Sequence, residues 1–200
     1  MFDGLIDVRQ PPTKRVGFCG GADVEHHLTE GAVMVAFAMY LLRMAPGLKH
    51  VAIHPDGEHG KRFDFLTWLA AQGFTRTKAS GNTAYGGVYL DVAGRSFVVN
   101  PKSGRGDVVA DFEGRSYIAE CKGGVINTSH PGQKSRLRKG LCEAVGQLMS
   151  KPLQAGQRQF AVVPLHEETR RLSEHMAKRA AAANIEIVLV SARGNVLSVD

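Results

Sequence analysis

GRGDVVADFEGRSYIAECKGG, Gly104 to Gly124, is the stretch on which the reading of this chain turns. Two apolar β-type runs, Asp107–Phe112 and Tyr117–Lys122, are separated by the turn-like Glu113–Ser116, so the segment reads as an antiparallel hairpin. Side chains alternate along a strand, which puts Glu120 and Lys122 on one face and turns Cys121 to the other. Asp107 opens the partner strand, where the hairpin brings it towards Glu120 near one end of a sheet. Charged residues end strands that are otherwise apolar (Val108, Val109 and Ala110, then Tyr117, Ile118 and Ala119). Glycines at 104, 106, 123 and 124 leave room for a ligand to approach the backbone.

Two carboxylates and an ammonium suit phosphodiester cleavage. Hard oxygen ligands hold Mg²⁺, which keeps several waters and accepts a phosphate oxygen. The metal lowers the pKa of a bound water, and a neighbouring lysine stabilises charge developing on phosphorus. The Ala119 carbonyl is considered as a further ligand.

Outward from the hairpin, four β-type runs are expected at 88–92, 96–100, 107–112 and 117–122, and a polar loop at 75–87. Upstream, an irregular arm occupies 1–20 and a helix capped by Asp23 runs to about Met44, ended by Pro46 and Gly47. A short apolar run covers 49–54, and a second helix covers about 59–72 with Gly73 at its C-terminal end. Downstream, Leu137, Leu141, Val145 and Leu148 form one apolar stripe of a helix over about 133–150. A strand at 159–164, a helix at 167–183, a strand at 185–190 and a returning strand at 196–199 complete the chain. This order predicts a single α/β domain over 1–200, a mixed sheet flanked by helices, with an N-terminal helical extension over about 1–48.

Composition is compatible with that class. The 200 residues are 44% hydrophobic and 22% charged, and the net charge of +6 permits phosphate binding without specifying it. Cys19, Cys121 and Cys142 show neither a disulfide framework nor zinc-ligand spacing, which points to reduced thiols in the cytoplasm. No signal peptide is visible, and the most apolar stretch, Ala32 to Leu42, is too short to span a bilayer, so no membrane partner is expected.

Taken with Gly106-Asp107, Glu120-Cys121-Lys122 and the element order around them, the chain resembles the PD-(D/E)xK nuclease superfamily, its resolvase-like and Mrr-like members in particular. The resemblance spans roughly 58–165 and departs from the family pattern at Gly106, which stands where a proline is usual. It implies a restriction-endonuclease-like fold and a metal-dependent endonuclease acting on DNA. The implied catalytic set is Asp107, Glu120, Lys122 and the helix glutamine Gln147. The implied cofactor is Mg²⁺, with Mn²⁺ able to substitute. Family members often add a glutamate from a helix before the sheet. Glu58, at the start of the 59–72 helix, is expected to be that third metal ligand rather than Glu30, which precedes a helix apolar almost all round. The cluster Lys134, Arg136, Arg138 and Lys139, with Arg105 and Lys102 in the loop entering the Asp107 strand, is expected to contact DNA phosphates. Helix-turn-helix, zinc-finger and basic-zipper patterns are not seen in the sequence, which favours recognition of DNA structure, or targeting through a second copy of the chain or a larger complex. The alternative is a nuclease-fold DNA-binding or accessory subunit.

Overall fold

The structure, a computed structural model, describes residues 1–21, 23–45 and 47–199. In chain order the elements are β1 (Ile6–Arg9), β2 (Glu25–Leu28), α1 (Glu30–Met44), β3 (His50–Ile53), α2 (Gly57–Arg62), α3 (Phe65–Ala71), β4 (Thr75–Ala79), β5 (Gly87–Leu90), β6 (Ser96–Val99), β7 (Val108–Phe112), β8 (Arg115–Cys121), β9 (Gly124–Val125), α4 (Pro131–Met149), β10 (Gln157–Pro164), α5 (Glu167–Ala182), β11 (Ile185–Val190) and β12 (Val196–Val199). Nine strands form one mixed sheet in the order β12-β11-β10-β8-β7-β3-β6-β5-β4, and β1-β2-β9 form a small second sheet. The fold class is α/β, with helices on both faces of the large sheet.

The hairpin read from sequence is present. Glu113 and Gly114, with φ of 49° and 73°, make a two-residue turn, and β7 pairs with β8 from Phe112↔Arg115 to Val108↔Ala119. Residues at both central positions of such a turn need positive φ, which glycine supplies without strain. On its other side β8 pairs in parallel with β10, through the crossover helix α4. Both strands are buried on both faces, as parallel strands under helices are. Phe160, Val162, Val188 and Val190 join the apolar cluster around α1, while Ala161, Val163, Ile187 and Leu189 join the cluster under α4 and α5.

Helix α1 is a buried core helix, as the length and apolarity of Ala32 to Leu42 imply: eleven of its fifteen residues are buried, and the run lies at the centre of the main core. The aromatic residues Phe63, Phe65 and Trp68 cover it together with Phe2 and Leu5 from the N-terminal arm. A side chain at Gly31 would stand 2.8 Å from the Phe65 ring, so glycine sets the closeness of that contact. The helix starts at Thr29, whose hydroxyl accepts from the Ala32 N–H, and Asp23 is not its cap; Pro46 lies outside the described residues.

Other departures are local. The helix expected at 59–72 breaks at Phe63–Asp64 because the Asp64 carboxylate accepts from the Thr67 N–H and starts a new helix. The polar 75–79 segment is strand β4 at the sheet edge, where an exposed strand carries no apolar alternation to betray it.

Candidate functional site

Pairing between β7 and β8 ends at Val108 and Ala119, and just beyond it Asp107 and Glu120 come close enough for the Glu120 charge to act on the Asp107 carboxyl. The Asp107 N–H donates to the Ala119 carbonyl at 2.8 Å, which takes up one of the two lone pairs of that oxygen and ties the start of the Asp107 strand to β8. The Asp107 carboxylate accepts from the Cys121 N–H at 2.7 Å, which fixes it against the end of β8. Lys122 follows on the Glu120 face, while Cys121 faces the opposite core and is buried.

Electrostatically this corner is short of positive charge around Asp107. Burial, with the Glu120 charge next, pushes the Asp107 carboxyl up to about 7; the Cys121 N–H and Lys122 oppose the rise but do not cancel it. Glu120 is itself buried and its Oε1 contacts Lys151 Nζ, which also donates to the Arg105 carbonyl at 2.8 Å. Lys122 lies 3.1 Å from Glu143 Oε1 on α4 and 3.5 Å from Glu30 Oε1 on α1. Burial alone would lower the Lys122 pKa, but Glu30 and Glu143 outweigh it and hold the ammonium charged.

Of the two glutamates weighed from sequence, it is Glu30 that lies beside Lys122. Glu58 is exposed on the first turn of α2 and is held by Lys61 at 2.6 Å, turned away from the sheet. What α2 sends to the site is His59, whose Nε2 lies 3.5 Å from Glu30 Oε1. Burial would lower the His59 pKa, yet the Glu30 hydrogen bond, aided by the charges of Glu30, Asp56 and Asp107, raises it overall.

The start of α1 comes to Lys122 because the chain pairs there. Leu28 at the end of β2 pairs with Gly124 of β9, two residues beyond Lys122. A side chain on Gly123 would meet the Glu30 nitrogen at 2.5 Å and the Leu28 carbonyl at 2.7 Å, so the double glycine permits the crossing. A two-residue strand, and a strand of sequence Glu-His-His-Leu, carry almost no periodicity, which hid this link.

Helix α4 supplies one wall. A side chain at Gly140 would stand 3.2 Å from Lys122 Cβ, so the helix lies close over the lysine. Glu143 and Gln147 follow on the same side, with Gln147 Nε2 donating to Glu143 Oε1 at 3.4 Å. The Gln147 Oε1 is buried and has no hydrogen-bond partner among the described residues. Glu143 and Lys151 were not singled out in the sequence; their helical spacing on either side of Gln147 is the signal that would have found them.

The expected basic cluster divides. Lys134 and Arg138 turn to Glu168 on α5, at 3.5 and 2.6 Å, whereas Arg136 and Lys139 are exposed. Arg105 binds Asp111 at 2.6 Å, away from Glu120, and Lys102 is exposed in its loop.

The donor set is of the kind a hard divalent cation takes: Asp107 and Glu120 near each other, with Glu30 on the far side of Lys122. A carboxyl pushed up to about 7 by burial, and next by a second carboxylate, fits such a cation, whose charge would offset both effects. As arranged, no group of three or more His, Cys, Asp or Glu side chains converges closely enough to hold a metal among the described residues. Among them, too, no helix is long and apolar enough to cross a membrane. Comparison with family models, with characterised proteins and with solved structures found no match.

Proposed function

We propose that this chain is a metal-dependent phosphodiesterase of PD-(D/E)xK type that cleaves DNA in the cytoplasm. The observation that carries the reading is the nearness of the Asp107 and Glu120 carboxylates at the open end of a hairpin, with Lys122 close by. In this reading Asp107 and Glu120 hold Mg²⁺ or Mn²⁺, with Glu30 as the third carboxylate. The bound cation would supply a Lewis acid and a water of lowered pKa. Lys122, kept charged by Glu30 and Glu143, donates to a phosphate oxygen and is too firmly protonated to serve as a base. Gln147 offers a buried acceptor that can orient an attacking water.

A test is the nicking of supercoiled plasmid DNA by pure protein in Mg²⁺, in Mn²⁺ and in EDTA. Glu120→Ala and Lys122→Ala should each reduce the rate by about 100-fold or more while the proteins remain folded. Full activity in either variant, or cleavage that persists in EDTA, sinks the proposal.

One observation favours the alternative, a DNA-binding or accessory subunit that does not cut. The contacts of Lys151 with Glu120, and of Glu30 and Glu143 with Lys122, close the constellation with internal ion pairs. Such a subunit would bind DNA in EDTA and cut it in no divalent cation.

A further inference from the structure

Next to this corner lies a second concavity, of about 340 Å³, whose wall is shared with it: Glu30 and His59 line it on one side. We propose that this pocket binds a phosphate of the same nucleic-acid strand, next to the one held at Lys122; the assignment of the strand rests on the phosphodiesterase reading.

Arginines from four separate segments turn into the concavity: Arg9 on β1, Arg15 in the turn after it, Arg62 at the end of α2 and Arg136 on α4. Like charges gathered in a concavity repel, so their convergence calls for compensation. Two are compensated within the fold. Arg9 donates to Asp7 at 2.6 Å, and Arg15 donates to the buried Glu25 at 2.9 Å, which also holds His27 at 2.9 Å. The lining acid, Glu30, is already engaged by Lys122 and His59. Arg62 and Arg136 are both exposed and form no ion pair among the described residues; the acids whose charges reach Arg62, Asp56 and Glu58, lie outside the lining. The pocket therefore carries two guanidinium groups in excess of its acids.

The floor contributes to the fit. Gly123 and Gly124 present bare backbone, and the buried Gln133 borders them as a further polar group. Guanidinium forks match the oxygens of a phosphate, and an arginine binds it more specifically than a lysine does. A nucleic-acid strand carries a phosphate at every nucleotide, so a strand placed at Lys122 brings its next phosphate towards the shared wall.

The experiment measures binding of a fluorescent single-stranded oligonucleotide in EDTA, where no cutting occurs, by wild type and by the Arg62→Gln/Arg136→Gln double variant. Both residues are exposed and outside any ion pair among the described residues, so the variant should fold, and an unchanged melting temperature checks that it has. Removing two charge-assisted hydrogen bonds should weaken binding by about tenfold or more and reduce the salt dependence. Inorganic phosphate should displace the oligonucleotide from wild type more readily than from the variant. Oligonucleotides with a 5′-phosphate and with a 5′-hydroxyl separate a terminal phosphate from an internal one; either preference supports the pocket. Equal affinity of wild type and variant overturns the proposal, as does phosphate stabilising the wild type without any change in strand binding. Plasmid nicking in Mg²⁺ is measured alongside. A wild type that never cuts, but whose oligonucleotide binding needs Arg62 and Arg136, leaves the pocket standing and removes the phosphodiesterase reading instead.

Discussion

Asp107 is the residue on which the protein's response to pH depends most directly. Its carboxyl is raised in the folded state from 3.8 to about 7, by burial and by Glu120. The sign follows: stability linked to its protonation is fully present below the ordinary carboxylate range and is lost as pH rises through about 7. At pH 8 without metal, Asp107→Asn should therefore raise the melting temperature, the gain being at most on the order of 4 kcal/mol. Divalent cations act in the opposite direction, since they bind the ionised carboxylate, so Mg²⁺ should stabilise wild type more at pH 8 than at pH 6. Calorimetry of both proteins in EDTA and in Mg²⁺ checks this; a variant that melts below wild type at pH 8 would contradict it. The choice of third carboxylate is decided at the same scale. Glu30→Gln should lower cleavage by about tenfold or more, because it removes a partner of both Lys122 and His59. Glu58→Gln, which disturbs only the surface pair with Lys61, should leave rate and metal dependence unchanged. The opposite pattern would restore Glu58. Asp107, Glu120 and Lys122 were legible because strand alternation and a two-residue turn are local rules. Glu30 was not, because its approach depends on Leu28 pairing with Gly124, nearly a hundred residues along the chain.

Among the elements, α4 shows how far a run of like charge can be read before its neighbours are known. Its stripe of Leu137, Leu141, Val145 and Leu148 predicted the buried face, and all four residues are buried. Its basic residues looked equivalent in sequence, but α5 divides them by placing Glu168 between Lys134 and Arg138. Lys134→Ala/Arg138→Ala should thus lower the melting temperature slightly and leave the salt dependence of DNA binding almost unchanged. Arg136→Ala/Lys139→Ala should keep the melting temperature and flatten the log–log salt slope by about 0.9 for each phosphate no longer neutralised. Titrations of the two variants at several salt concentrations decide between these outcomes, and a flattened slope in the first pair would mean that Glu168 does not withhold it from DNA. The hairpins β5–β6 and β7–β8 were likewise visible in the sequence. The insertion of β3 between β6 and β7 was not, since it pairs residues more than forty positions apart and leaves no local periodicity.

Across the whole molecule, β8 lies inside the nine-stranded sheet, bonded to β7 on one side and to β10 on the other, with α1 packed on the face that Cys121 joins. Burial, and then the nearby carboxylates of Asp107, Glu30 and Glu120, push the Cys121 thiol well above its ordinary range, so in the native state it is both inaccessible and un-ionised. Cys142 is exposed on α4, and Cys19 is buried in the N-terminal arm outside the large sheet. The three thiols therefore form a built-in clock for opening at three depths. Alkylation followed by mass spectrometry should modify Cys142 first, Cys19 as the arm detaches, and Cys121 only when the sheet itself comes apart. A Cys121 modified as fast as Cys19 in native buffer would contradict that order. Because Asp107 is anchored on the Cys121 N–H, a cation held at Asp107 should also slow this last reaction, so a thiol on the reverse side of the strand would time metal occupancy without any substrate being cut.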